Sequence, residues 1–265
     1  MSRLFIVDGS NVVMRCALGG ELPPADAVKI ATCMINLAAR RLGATHLICA
    51  LDFPGVPTWR KKLYPEYKAN RTTDTAPWLE AAGEAWVQRG WRVAAVPGFE
   101  ADDVIATLAA RASVHANAAV LVLSGDSDLL PLLDWNIAVI RLKNGGIIEA
   151  ASPASVRAKY GVEAPKRLMD FKALAGEAGD NVPGVEGVGP VRARQLLAAY
   201  GDLEGVIAAG MKNTCKYSIK VAASAAAARL SLQLVSLRFD VPVEPIAPKT
   251  CAFQEASADC VSQTV

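Results

Sequence analysis

Ala119-Val120-Leu121-Val122-Leu123-Ser124-Gly125-Asp126-Ser127-Asp128 is an apolar run of buried-strand length that ends in a glycine turn carrying two acids. The same arrangement occurs twice upstream. Arg3-Leu4-Phe5-Ile6-Val7 runs into Asp8-Gly9-Ser10-Asn11, and His46-Leu47-Ile48-Cys49-Ala50-Leu51 runs into Asp52. A further run, Arg92 to Val96, leads through Pro97-Gly98 to Glu100. Between them, Pro24 to Leu42 carries a helical apolar stripe through Val28, Ala31, Ile35 and Leu42, and Pro77 to Arg89 is rich in helix formers around Trp78 and Trp86. Strands alternating with helices predict an α/β fold with a mostly parallel central sheet flanked by helices. Parallel strands share one carboxyl edge, so their acids are expected in a single cleft.

At Gly98-Phe99-Glu100-Ala101-Asp102-Asp103 three carboxylates open the amphipathic run Val104 to Ala110, which reads as the first turn of a helix. Glu100 and Asp103 are three apart and share a face, while Asp102 points to one side. Acids also collect at helix N-termini because the macrodipole favours them, and Asp8-Gly9 is equally a turn-forming pair. Convergence separates the two readings. Carboxylates gathered in one cleft repel one another, and their desolvation is costly unless cations neutralise them.

Composition narrows the function classes. With 265 residues and 52% hydrophobic content, the chain can bury one sizeable core and a smaller appendage. A formal charge of +2 means that a nucleic acid would be met by local basic patches and not by a global field. The cysteines (Cys16, Cys33, Cys49, Cys215, Cys251, Cys260) form no C-x-x-C pair. With no signal-peptide pattern, reduced thiols in a cytoplasmic protein are expected, Cys33 and Cys49 in the core. No apolar run is long enough to span a bilayer, so no membrane partner is expected. Only His46 and His115 occur, which counts against histidine acid–base chemistry and zinc hydrolysis.

Trp59-Arg60-Lys61-Lys62-Leu63-Tyr64-Pro65-Glu66-Tyr67-Lys68-Ala69-Asn70-Arg71 differs in kind, with five basic residues and three aromatics and no clean amphipathic period. Such interleaving suits a surface that tracks phosphates and stacks on bases, or a solvated basic loop. Ile137 to Ile140 and Gly146 to Glu149 read as a strand and a hairpin arm, and from Pro153 the pattern is helical. A helix closing at Gly176 is followed by Glu177-Ala178-Gly179-Asp180-Asn181, and Gly187-Val188-Gly189-Pro190 leads into the helix Val191 to Tyr200. A Gly-x-Gly turn between helices frees backbone N–H groups for a phosphate, although it is also simply a tight turn. Lys220 to Phe239 reads as one long alanine-rich helix, and beyond Pro242 periodicity is lost.

Four motifs in this order resemble the 5′-nuclease family, which comprises flap endonucleases and the 5′→3′ exonuclease domain of bacterial DNA polymerase I. They are Leu63 to Arg71, Glu100-Ala101-Asp102-Asp103-Val104-Ile105, Gly125-Asp126-Ser127-Asp128, and Asp180-Asn181-Val182-Pro183-Gly184-Val185 with Gly187-Val188-Gly189-Pro190. The resemblance covers about the first 240 residues. It implies a PIN-like core over 1–152 with a helical arch at about 60–90. A helix–three-turn–helix DNA-binding module would follow over 153–240, with a partly disordered tail over 241–265. The implied activity is that of a free-standing or excised metal-dependent 5′→3′ exonuclease or flap endonuclease, acting as a monomer on DNA with free 5′ ends, flaps or nicks. RNA primers in RNA/DNA hybrids are a further implied substrate.

Residue by residue, the resemblance places one metal near Asp8, Asp52 and Asp102, with Glu100 acting through water. The second falls near Asp126, Asp128 and Asp180, with Glu177 at a family carboxylate and Asp103 in a shared water network. Oxygen-only ligands suit two Mg²⁺, with Mn²⁺ as a substitute. Lys68 and Arg71 match residues that reach the scissile phosphate, Tyr67 a base-stacking aromatic beside Tyr64, and Arg15 a basic residue near the site. Gly187, Val188, Gly189 and Arg192 match the duplex-gripping turn, where a K⁺ is implied. The chain departs from the family pattern at Glu177, usually aspartate, at Ala178 and Gly179, and at Val191 where lysine is common. The segment from Arg71 to Glu100 is also slightly short. A structure-specific DNA-binding protein with a weakened second metal site is the alternative, and a PIN-type ribonuclease a third reading that the Gly187-Val188-Gly189 turn opposes.

Overall fold

The computed structural model describes residues 2–114, 118–142, 148–244 and 251–253. Strands β1 (Ser2–Asp8), β2 (His46–Ala50), β3 (Arg92–Ala94), β4 (Ala118–Leu123), β5 (Ala138–Leu142) and β6 (Ile148–Ala150) form one sheet in the order β3-β2-β1-β4-β5-β6. All neighbours are parallel except β5 and β6. Chain order therefore reverses around β1, whose partners are β2 and β4. A crevice opens at the carboxyl ends of strands where this happens.

Successive strand residues face opposite sides of the sheet, and the core divides accordingly. Phe5, Val7, Leu47, Cys49 and Leu123 point to a layer built by α1 (Gly9–Gly20), α2 (Pro24–Arg41) and α4 (Ala76–Gln88). There Trp86 is fully buried, its indole N–H donating to Thr32 Oγ1 at 2.8 Å. Gly9 is required in this layer because a Cβ would stand 2.7 Å from the Trp86 ring and 2.8 Å from the Ala50 carbonyl oxygen. Leu4, Ile6, Ile48, Val120 and Val122 face the other way, onto α5 (Ala101–Val114). The short helix α3 (Trp59–Leu63), capped by Thr58, lies between β2 and α4.

The C-terminal half consists of α6 (Pro153–Tyr160), α7 (Arg167–Ala175), α8 (Pro190–Tyr200), α9 (Leu203–Met211), α10 (Lys216–Ala223) and α11 (Ala225–Val235). Leu168, Leu174, Leu196, Val206 and Val221 from these helices, with Val188 of the turn before α8, join the same apolar cluster as Ile105 and Leu108 of α5. After α11 an extended strap returns along α5. Arg238 N–H donates to Asp103 Oδ1 at 3.0 Å, and Arg111 donates to the carbonyls of Val243 and Val241 at 2.9 and 3.0 Å. Val241 is fully buried beneath it.

Several expectations change. The long helix over Lys220 to Phe239 is two helices broken at Ser224, whose φ of −108° and ψ of 23° leave the helical range, and it stops at Val235. Within the expected arch at about 60–90, α4 packs Leu79, Ala82 and Trp86 against the sheet, and Lys68 and Arg71 reach Glu100 and Asp180. The tail begins with the ordered strap over Leu237 to Val243, and residues 245–250 and 254–265 lie outside the described residues, as do 143–147 of the hairpin arm and His115. Cys16, Cys49, Cys215 and Cys251 are free thiols; Cys49 lies in the core as expected, whereas Cys33 is only half-buried.

Candidate active site

The carboxyl edge of the sheet fixes its acids by making them cap helices. Asp8 is the N-cap of α1, its Oδ1 accepting from the Asn11 N–H at 2.9 Å, and its Oδ2 accepts from Ser124 Oγ at 2.6 Å. Asp52 Oδ1 accepts from the Ala101 N–H at 2.8 Å, so the end of β2 caps α5. Ser124 Oγ also accepts from the Asp126 N–H at 2.9 Å, and Asp126 Oδ1 accepts from the Asp128 N–H at 3.0 Å. The Gly125 N–H donates to Asn11 Oδ1 at 3.1 Å. Ser124 and Asn11 thus stitch the ends of β1 and β4 together. The sequence reading passed over both, since small polar residues in turns carry no signal of long-range pairing.

Crowding shows in the ionisation of these groups. Burial, with the nearby charges of Asp52 and Asp126, pushes the Asp8 carboxyl up to about 7 despite its two hydrogen bonds. Burial and the charges of Asp8, Asp126 and Asp128 push Asp102 well above the usual carboxylate range. Asp128 rises to about 6 for similar reasons, although Lys172 opposes the shift. Asp8, Asp52, Asp102, Asp126 and Asp128 are therefore close enough to act on one another's ionisation. Among the described residues, however, no three acids are drawn to a common ligand point. The outer acids are instead paired with basic side chains.

Those partners come from two directions. Lys172, on α7, is only 6% exposed and donates to Asp128 Oδ1, to Glu177 Oε2 at 2.6 Å and to Ser127 Oγ at 3.2 Å. From the stretch after α3, Lys68 Nζ donates to Glu100 Oε1 at 2.9 Å and lies 3.7 Å from Asp180, which Arg71 also pairs. Burial alone would raise the Asp180 carboxyl, but Lys68 and Arg71 hold it below its ordinary value. Lys68 adopts a left-handed φ of 54°, a strained conformation for a side-chain-bearing residue. Its N–H donates to the Asp180 carbonyl at 2.9 Å, and Asn70 Nδ2 donates to the Ala178 carbonyl at 2.9 Å. These bonds clamp the turn over Ala178–Asp180 to the basic stretch.

Two site expectations are revised, those for Asp103 and Tyr67. Glu100 and Asp103 share a face on which Arg60 meets both, while Glu100 Oε1 also accepts from Lys68 at the rim of the cleft. Arg60 is 3% exposed and donates to both Asp103 oxygens at 2.6 and 2.8 Å, to Glu100 at 3.3 Å, and to the carbonyls of Leu234 and Ser236. Asp103 also accepts from the Trp59 indole at 2.9 Å, so its oxygens are committed to packing α3, α5 and the strap together and not to a water network. Tyr67 is 2% exposed, packed on Val182, Leu234 and Val235 with its hydroxyl donating to Glu100 at 3.1 Å, which leaves no ring face for a base. Tyr64 is half-buried in the same cluster. The exposed Arg15 donates to the Leu142 carbonyl at the end of β5.

At the far end, Gly187 has a left-handed φ of 75° and Gly189 is exposed ahead of α8. Val188 is 1% exposed, so its side chain belongs to the core and only its backbone can face a ligand. Arg192 lies over the Tyr217 ring at 4.6 Å, and Lys220 approaches Gly187 from α10. Tyr217 and Lys220 extend this basic face, an addition that only tertiary packing reveals.

A family model described as the 5′-3′ exonuclease N-terminal resolvase-like domain matches residues 3–161, and one described as the 5′-3′ exonuclease C-terminal SAM fold matches residues 163–259. A flap endonuclease Xni of Aeromonas hydrophila subsp. hydrophila is 36% identical over 252 residues, 91% of this chain and 92% of the relative. DNA polymerase I of Bacillus caldotenax is 35% identical over 260 residues, 91% of this chain, and the chain spans only 28% of that relative's length. A T5 5′-exonuclease solved with bound divalent metal ions (zinc) shares the fold with a TM-score of 0.73 and 24% identity, covering 88% of this chain and 89% of that one. On two successive domain matches and a relative of nearly equal length, the chain belongs to the 5′-3′ exonuclease family.

Proposed function

We propose that this chain is a divalent-metal-dependent 5′ nuclease, a 5′→3′ exonuclease or flap endonuclease, hydrolysing phosphodiester bonds near 5′ ends or flaps of DNA. One observation carries the reading. Acids from three strand ends and the first turn of α5 crowd until burial and mutual charge push Asp8 and Asp102 above the carboxylate range, with the basic side chains of Lys68 and Arg71 on the rim. Buried carboxylates in that state demand cations.

The donor set fits hard divalent ions, since it is all oxygen and includes no histidine. Asp8, Asp52 and Asp102, with Glu100 through water, would hold one ion; Asp126, Asp128 and Asp180, with Glu177, the other. Mg²⁺ is the favoured ion and Mn²⁺ a substitute. When bound, two such ions would lower the pKa of water and stabilise charge on the leaving oxygen. The chain's own residues do the rest. Lys68 and Arg71 release the acids and meet the scissile phosphate, while Asp103 and Arg60 hold the helix that carries Asp102. The turn over Gly187 to Gly189, with Arg192, Tyr217 and Lys220, grips the duplex through backbone N–H groups, and a K⁺ bound at this turn would add positive charge toward a phosphate. Residues 1–152 act as the nuclease core and 153–240 as the duplex module of a cytoplasmic monomer, with RNA primers in hybrids as further substrates.

The test is direct. End-labelled flap, nicked and single-stranded DNAs and the matching RNAs are incubated with and without Mg²⁺. Mg²⁺-dependent shortening from the 5′ side is expected; binding without cleavage at any metal concentration would overturn the reading.

A further inference from the structure

The ammonium of Lys172 has three N–H bonds, and three oxygens surround it: Ser127 Oγ, Asp128 Oδ1 and Glu177 Oε2. Lysine is almost never buried unless paired, and this one sits in the apolar run Phe171 to Ala175 with 6% exposure. The cradle is assembled from three separate places: the loop after β4, α7, and the loop after α7. Its two carboxylates are acids assigned above to the second divalent ion, so this inference rests on the two-ion reading. The Glu177 side chain, one methylene longer than aspartate, reaches Lys172 at 2.6 Å.

We propose that Lys172 is a tethered cation that fills the outer half of the acidic cleft in the metal-free chain, and that the second divalent ion binds only by displacing it. A carboxylate that serves the ammonium cannot fully serve the ion, and an ammonium left within a few ångströms of a divalent cation is strongly repelled. Lys172 then sets the metal requirement of the chain. The first ion, whose acids Lys172 does not touch, is unaffected.

Mn²⁺ binding to the full chain without DNA tests this, by calorimetry and by counting free Mn²⁺ from its paramagnetic resonance. The parent should show one tighter and one weaker ion. In Lys172→Met, which keeps an apolar stem, the weaker ion should tighten by about tenfold or more, while the tighter one stays the same. Lys172→Arg retains the charge and should show no tightening. Should the methionine variant fail to fold, lysine-ammonium nitrogen resonances of the parent give the same information, because the protected Lys172 signal should move or vanish as Mg²⁺ saturates the second site. A weaker ion that is unchanged or loosened in Lys172→Met, or a Lys172 signal indifferent to saturating Mg²⁺, overturns the proposal and leaves the two-ion reading standing. A single ion in both parent and variant overturns both.

Discussion

Lys68 Nζ stands 2.9 Å from Glu100 Oε1, and the residue holds a left-handed φ of 54° while doing so. An ammonium in that place neutralises the cleft when no phosphate is there. In the proposed reaction the same ammonium acts next to developing charge, an effect concentrated in the transition state. Lys68→Ala is therefore expected to slow cleavage by about 10²–10³-fold and to weaken DNA binding only modestly, losing about one unit of the salt-dependence slope. Single-turnover rates and binding measured at several salt concentrations separate the two. Equal losses in both would make Lys68 an ordinary phosphate contact.

Asp126 lies between the two halves of the cleft, raising both Asp8 and Asp128. In Asp126→Asn the amide oxygen can still accept from the Asp128 N–H, so the turn is preserved. Cleavage should be abolished, with DNA affinity kept or improved because one negative charge facing phosphates is gone. A variant that cuts at the parent rate would remove Asp126 from the machinery.

Stability of the metal-free chain should depend on pH in an unusual sense. Asp8, with its folded pKa near 7, and Asp102, raised by burial and like charge, prefer to keep their protons when folded. Below the ordinary carboxylate pKa of about 3.9 both folded and unfolded chains are protonated there, and nothing is lost. As pH climbs from there toward the folded value, the unfolded chain ionises while the folded one keeps its protons, so stability falls and levels off once the folded groups have ionised too. Asp180, held low, acts oppositely, its contribution fading as pH falls through the acid range. Thermal melts in a chelator should thus give a lower Tm at pH 8 than at pH 5.5, and added Mg²⁺ should close the gap. A Tm that is flat or rises over this interval would contradict the crowding.

The two turn glycines should separate folding from binding. A Cβ at Gly189 meets nothing within 4 Å and its φ is −79°, so Gly189→Val should fold normally yet bind duplex-containing DNA more weakly. Gly187→Val forces a side chain onto a φ of 75° and should cost about 1–2 kcal/mol of stability. Denaturant melts alongside binding to duplex and single-stranded DNA check both. Loss of single-strand binding in Gly189→Val would argue against a duplex-specific turn.

Arg60→Met leaves Asp103, which is fully buried, without its cation. Breaking one side of such a pair typically costs about 3–5 kcal/mol. Equilibrium unfolding should show a loss of that size, and a change below about 1 kcal/mol would mean that the Trp59 and Arg238 bonds suffice for Asp103.

The sheet and its acidic edge were legible because each strand is a contiguous apolar run and each acid follows it directly. Asp8, Asp52 and Asp126 needed no tertiary information. Arg60 and Lys172 were hidden because a buried cation looks like any other basic residue until its partners, 43 positions away for Asp103 and 44 for Asp128, are folded against it. Tyr67 was misread for the complementary reason, since an aromatic among basic residues has the composition of a stacking platform even where packing seals it. The break at Ser224 escaped because alanine-rich sequence on either side is helical by propensity, and the turn between α10 and α11 is imposed by what they pack on.

The strap from Leu237 to Val243 bears on modularity. The family boundary near residue 162 separates two sequence units, yet Asp103, Thr107 and Arg111 of the first find hydrogen-bond partners in the strap of the second. A polypeptide cut at that boundary would leave the α5 flank uncovered, with Asp103 lacking its Arg238 amide and the Val241 side chain gone from beneath. The halves are thus interdependent folding partners, and grafting the first onto another scaffold would require carrying the strap with it.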